Sequence, residues 1–264
     1  MSETTRPAAV PGETARAAAE RSRGGRAPSR LAELVAQIRA VLPPAPVEVV
    51  DAGGGTGQLA VLLAADGHQV TVIDPSVAML ATAAERAAEV GPDVADRLRT
   101  VQGDAERAAE LLGPGSADAV LCHGVLGVVS DQAAAVAALA SLLRPGGTLS
   151  LVAANRVELV VRHARRGDYR EALRLLDDPA VSTPRGRRAG QSSRAWTLNE
   201  IRPWCTGAGL EVVAEHGLRV FAEPPPGTDQ AELDAARELE RRAATREPYR
   251  SGSEYLHVLA VRPG

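Results

Sequence analysis

The stretch VEVVDAGGGTGQLA, residues 47–60, joins an apolar strand to a helix start through a turn holding Gly53, Gly54, Gly55 and Gly57. Valines at 47, 49 and 50 suit a strand buried on both faces. Glycines let the chain turn sharply and bring its backbone close to a ligand. Residues 55–60, GTGQLA, also fit the dinucleotide pattern G-x-G-x-x-A, so two ligand classes compete for the loop. Charge separates them. A dinucleotide sets its pyrophosphate on the helix N-terminus, and Asp51 at the strand end would repel it. Asp51 suits a cationic ligand that carries no phosphate.

Outward from this turn, strands and helices alternate. Strands are predicted at 47–51, 69–73, 97–101, 117–122 and 148–153, with helices through Ala65 and over 76–90, 105–112 and 131–143. Arg144-Pro145-Gly146-Gly147 reads as the turn into the fifth strand. Such units imply an α/β, Rossmann-like fold: a mostly parallel sheet with helices on both faces, its ligand site at the strands' C-terminal rim. A helix is predicted over Arg30–Val41, capped by Ser29, and residues 1–28 read as a disordered N-terminal tail. The domain then covers 29–264. Beyond the fifth strand the pattern changes. Residues 155–196 read as a helical and basic insertion over the acceptor site, with helix at 156–176 and loop at 182–195. A helix at 198–208, a strand at 210–221, a helix at 229–246 and a strand at 254–262 follow, the two strands predicted as an antiparallel C-terminal edge pair.

Three acids fall at successive strand ends. Asp74 lies 21 positions after Gly53 (74 − 53), where an acid accepts hydrogen bonds from ribose hydroxyls. Asp104 is placed to meet an adenine amino group, with the Ala105 N–H near the ring. Each alone would be an ordinary cap. Together with Asp51, Gly53, Gly55 and Gly57 they describe a nucleoside site, and the cation preference points to S-adenosylmethionine.

These residues carry a resemblance. VVDAGGGTGQLA at 49–60, VIDPSVAML at 72–80, GDA at 103–105, ADAVLCHGVLGVV at 117–129 and LLRPGGTLSL at 142–151 are similar to class I S-adenosylmethionine-dependent methyltransferases. Flanking pieces resemble one subgroup, the tRNA 5-carboxymethoxyuridine methyltransferases: CH-x-VL at 122–126, Asn155, GLRVF at 217–221, REPY at 246–249 and YLHV-x-A-x-RP at 255–263. The resemblance implies methyl transfer to the carboxylate of a modified wobble uridine. It also implies that Arg30 meets the methionine carboxylate of the cofactor. The chain departs from the subgroup at Gly127, where a Glu is usual, and at Ala154, where an aromatic is usual.

A carboxylate acceptor is ionised at neutral pH and needs no base, but it needs a cationic clamp. Arg194 and Arg219 are the candidates. His123, at the end of the fourth strand, and Asn155, at the end of the fifth, are expected to orient the acceptor; for a hydroxyl acceptor His123 would be the base. Arg162, Arg165, Arg166, Arg170, Arg185, Arg187, Arg188 and Arg194 form a basic lid over 162–194, suited to the phosphates of tRNA. The alternative is a small-molecule O- or N-methyltransferase, which needs no such lid. A non-catalytic binder of the cofactor and a nicotinamide-dependent dehydrogenase are the further rivals.

Composition sets outer bounds. The chain has 264 residues, is 45% hydrophobic and carries a net charge of −3, so no global basic field favours nucleic acid and any such site is local. All 30 basic residues are arginine. Cys122 and Cys205 make no disulfide framework or metal-ligand cluster. With no long apolar run and no signal-peptide core, a cytoplasmic location is predicted.

Overall fold

The computed structural model describes residues 30–178, 182–184 and 192–264. The predicted tail, the Ser29 cap and Arg185, Arg187 and Arg188 lie outside the described residues, as does the side chain of Arg30.

Five strands, β1 (Glu48–Ala52), β2 (Gln69–Asp74), β3 (Leu98–Gln102), β4 (Ala117–His123) and β5 (Leu143–Ala154), are all parallel where they pair. With β8 (Glu211–Leu218) and β9 (Tyr255–Val261) they form a seven-stranded sheet in the order β3-β2-β1-β4-β5-β9-β8. The chain reverses its direction of winding at β1 and β4, which opens the crevice beside the glycine turn. Helices α1 (Arg30–Arg39), α2 (Gln58–Ala65) and α3 (Val77–Val90) cover one face, where Leu34, Val35, Ile38, Leu62, Leu80 and Val152 pack together. On the other face α4 (Ala108–Leu112), α5 (Gln132–Leu142) and α8 (Leu198–Gly207) pack Leu139, Ile201 and Cys205 against Val120, Leu149 and Leu151. Side chains alternate between these two cores along each strand: Val49 joins the first and Val50 the second.

Three expectations are corrected. Residues 144–147 are not a turn before the strand but an irregularity within β5, held by Gly146 N–H donating to Arg262 O (2.8 Å) and Arg262 N–H donating to Gly147 O (2.9 Å). The terminal strands form the expected antiparallel pair at one edge of the sheet: β9 pairs antiparallel with both β5 and β8, and β8 is the outer strand. The strand expected to reach 221 stops at Leu218, because Arg219 turns left-handed at φ 57. The loop expected at 182–195 contains a small antiparallel hairpin, β6 (Ser182–Pro184) with β7 (Ser192–Arg194). Between β5 and that hairpin lie α6 (Arg156–Arg165) and α7 (Tyr169–Asp177), and α9 (Gln230–Ala243) precedes the last strand. Among the described residues no helix is long and apolar enough to cross a membrane.

Candidate active site

The glycine turn owes its shape to contacts that tolerate no side chain. Gly53 sits at φ 76 with its N–H on Ile73 O at 2.7 Å, and a Cβ there would lie 2.2 Å from Val125 Cγ2. Gly57, at φ 67, starts α2; a Cβ there would lie 2.7 Å from Ala83 Cβ. Gly55, at φ 56, donates its N–H to Asp74 Oδ2 at 3.0 Å, while Asp74 Oδ1 accepts from Ser76 N–H at 2.9 Å. Asp74 is thereby aimed at the turn from the end of β2, half-buried. Asp51 is buried beneath the turn at 3% exposure. Burial, and then the charge of Asp74, push its carboxyl up to about 7. Asp104 stands exposed at the end of β3, and Ala105 behind it is buried.

This rim is acidic, glycine-lined and preorganised. A buried carboxylate raised to about 7 pays to ionise alone and is relieved by a bound cation, whereas a pyrophosphate would add to the strain. The residues therefore fit a nucleoside bearing a sulfonium and an ammonium, and they do not fit a dinucleotide.

His123 ends β4, Asn155 follows β5, and Arg194 ends β7. His123 Nε2 lies 2.9 Å from Ser150 Oγ. Asn155 is 1% exposed, its Nδ2 donating to Ser251 O (2.8 Å) and Ser253 O (2.7 Å) and its Oδ1 accepting from Val157 N–H (3.0 Å). It is a joint that caps α6 and ties it to the segment leading into β9, with both amide hydrogens committed. Arg194 donates from Nη2 to Val129 O at 2.7 Å and lies over the Trp196 ring at 5.1 Å. Arg219 pairs through Nε with Glu254 at 3.1 Å, just past the end of β8. Gly127 has a local reason for its departure from the subgroup. A Cβ there would lie 2.0 Å from Ser193 Oγ and 2.7 Å from Arg194 O, because β7 rests on it. Cys122 is a core residue whose thiol burial pushes up to about 12, which makes it inert as a nucleophile.

Three residues missed from the sequence belong to the same region. Ser150 Oγ is 2.8 Å from His257 Nε2, and His257 Nδ1 is 2.6 Å from Gln37 Oε1. Ser150 and His257 read as ordinary positions in apolar strands, and the only available signal is a polar residue at an inward position. Glu33, on α1, is also raised, to about 8, by burial first and then by Glu240, against the lowering pull of Arg219.

Comparison with known proteins agrees with this geometry. A family described as "Methyltransferase domain" matches residues 50–149. The chain belongs to the S-adenosylmethionine-dependent methyltransferases, and its cofactor is S-adenosylmethionine. It is 31% identical over 230 residues to the tRNA 5-carboxymethoxyuridine methyltransferase of Escherichia coli O157:H7, covering 86% of this chain and 84% of that one. It is 40% identical over 201 residues to a ubiquinone biosynthesis O-methyltransferase of Xanthomonas axonopodis pv. citri, covering 71% of this chain and 80% of that one. Among solved structures, the 1,6-didemethyltoxoflavin-N1-methyltransferase of Burkholderia thailandensis, with bound S-adenosylhomocysteine, shares the fold at TM-score 0.56 and 19% identity, covering 99% of this chain and 94% of that one.

Proposed function

We propose that the chain methylates the carboxylate of 5-carboxymethoxyuridine in tRNA. The observation that carries this reading is the likeness to the E. coli tRNA enzyme, which runs over 86% of the chain and so includes the acceptor side as well as the cofactor half. The surface at the rim is compatible. Helix α6 starts at the end of β5, and Arg165, Arg166, Arg170 and Tyr169 are exposed along the α6–α7 pair. Arginines of this kind track phosphates, and an exposed aromatic offers a base a stacking surface.

In this reading Asp74 accepts the ribose hydroxyls, the 53–57 turn lies along the nucleoside, and Asp104 with the Ala105 N–H meets the adenine. Asp51 balances the cationic end of the cofactor, and Arg30 takes its carboxylate. When bound, S-adenosylmethionine supplies an electrophilic methyl on a sulfonium. The protein then holds the acceptor in line and excludes water. His123 meets the acceptor carboxylate, and Arg194, on the strand that rests on Gly127, neutralises it. Arg219, paired with Glu254, is given no role in this reading.

The 40% identity to an O-methyltransferase favours a second reading, a small hydroxyl-bearing acceptor with His123 as base. The two separate in one assay. The enzyme is incubated with labelled S-adenosylmethionine and tRNA carrying 5-carboxymethoxyuridine. Label that enters tRNA and is released by mild alkali, as a methyl ester is, supports the tRNA reading. Absence of transfer to that tRNA, with cofactor binding intact, rejects it.

A further inference from the structure

A polar stripe crosses four neighbouring strands on the face covered by α1. His123 on β4, Ser150 on β5, His257 on β9 and His216 on β8 lie in sequence, with the His123–His257 and His216–His257 ring centroids 6.2 Å and 5.7 Å apart. Three contacts join the stripe to α1: His123 Nε2 to Ser150 Oγ at 2.9 Å, Ser150 Oγ to His257 Nε2 at 2.8 Å, and His257 Nδ1 to Gln37 Oε1 at 2.6 Å. Gln37 and His257 are 220 positions apart in the chain. Ser150 is 2% exposed and His257 fully buried.

The direction of these bonds follows from valence. Burial, and then the neighbouring His123 and His216, hold His257 well below the usual histidine range, so it is neutral and carries one N–H. Gln37 Oε1 only accepts, so that hydrogen is on His257 Nδ1. His257 Nε2 then accepts, and the hydrogen it accepts is that of the Ser150 hydroxyl. Ser150 Oγ has no second hydrogen, so it accepts from His123 Nε2–H.

We propose that Gln37, His257 and Ser150 are positioning residues: they form a one-way relay that fixes a hydrogen on Nε2 of His123 and holds the plane of its ring, so that the imidazole meets the acceptor as a single tautomer. This rests on the reading that the methyl acceptor lies at the end of β4. A fixed tautomer gives His123 one defined role for either acceptor class. The relay removes the tautomeric choice that an isolated imidazole has and fixes the plane of the ring.

The test uses long-range proton–nitrogen spectra of the full chain, labelled with nitrogen-15 histidine and saturated with S-adenosylhomocysteine. The expected spectrum assigns hydrogens to His257 Nδ1 and His123 Nε2. Gln37→Glu, which also only accepts, keeps that pattern. Gln37→Met, at a half-buried helix position, and Ser150→Ala both move His123 toward the averaged signals of mixed tautomers. In these two variants kcat on the acceptor that the transfer assay identifies falls by about 10- to 100-fold, as misplacement of a reacting group produces, with KM for the cofactor unchanged. A hydrogen on Nδ1 of neutral His123 in the unaltered protein overturns the relay. Unchanged kcat in both variants overturns its use. The spectra need no acceptor, so failure of the tRNA reading leaves the relay decided on its own terms.

Discussion

The cofactor half and the acceptor half of this molecule are built by opposite means. Around β1 and β2 the site is local. Gly53, Gly55, Gly57 and Asp74 act within one β-α-β unit, through left-handed backbone at the three glycines and hydrogen bonds such as Gly55 N–H to Asp74, 19 positions apart. Around β4, β5 and β9 the site is assembled over long distances, with Ser150 and His257 separated by 107 positions and Asn155 bonded to Ser253 across 98. The first half tolerates no change of backbone, and the second is set by packing. Variants in the two halves should therefore fail differently.

The largest effect is expected at Gly53→Val. Its Cβ would lie 2.2 Å from Val125 Cγ2 and its φ is 76, so relief of the clash by Val125→Ala leaves the backbone strain in place. Calorimetry should find no S-adenosylhomocysteine binding in the single variant and only partial recovery in the double. Asp74→Ala comes next. It removes the proposed ribose contact and the acceptor for two backbone N–H groups. Loss of charge-assisted bonds worth about 1.5–3 kcal/mol weakens S-adenosylhomocysteine binding by about 10- to 100-fold. Equal affinity would place the ribose elsewhere.

Asp51 sharpens the comparison through pH. Its carboxyl is raised in the folded chain from the usual 3.8 to about 7. The stability this gives is fully present below the unfolded value and is lost as pH rises through the folded one. The melting temperature of the cofactor-free protein should thus fall from about pH 4 to about pH 7, and that of Asp51→Asn should not. S-adenosylmethionine binding favours the ionised form. Below about pH 7 its apparent affinity should weaken by up to about tenfold per pH unit, with proton uptake by the buffer detectable in titration calorimetry. A pH-independent affinity would remove Asp51 from the cationic end of the cofactor.

The smallest effect is expected on the acceptor side. Replacing Arg165, Arg166 and Arg170 with alanine should leave cofactor affinity unchanged and lower the salt slope of tRNA binding by about one per lost phosphate contact. An unchanged slope would mean that tRNA, if bound, lies on another face.

The sequence by itself determined the cofactor half. A strand, a turn of four glycines and acids at the strand ends follow from short-range rules of backbone freedom and charge, so the Rossmann-like sheet, the turn and the inward Asp74 were all readable from residues 47–104. The acceptor half was not. Asn155 was recognised as a residue at a strand end, but its role as a cap, with both amide hydrogens spent on Ser251 and Ser253, depends on where the last strand lands. Arg219 stood in a segment like that of the subgroup, yet neither the left-handed turn at its own position nor its pairing with Glu254 follows from that segment. Ser150, His257 and Gln37 were silent because a polar residue in a strand gives no sign of its partner until β9 inserts between β5 and β8 and α1 closes over that face. Only the tertiary structure decided those contacts. Hydrogen bonds across a hundred or more residues are chosen by packing, and no local pattern in the chain encodes them.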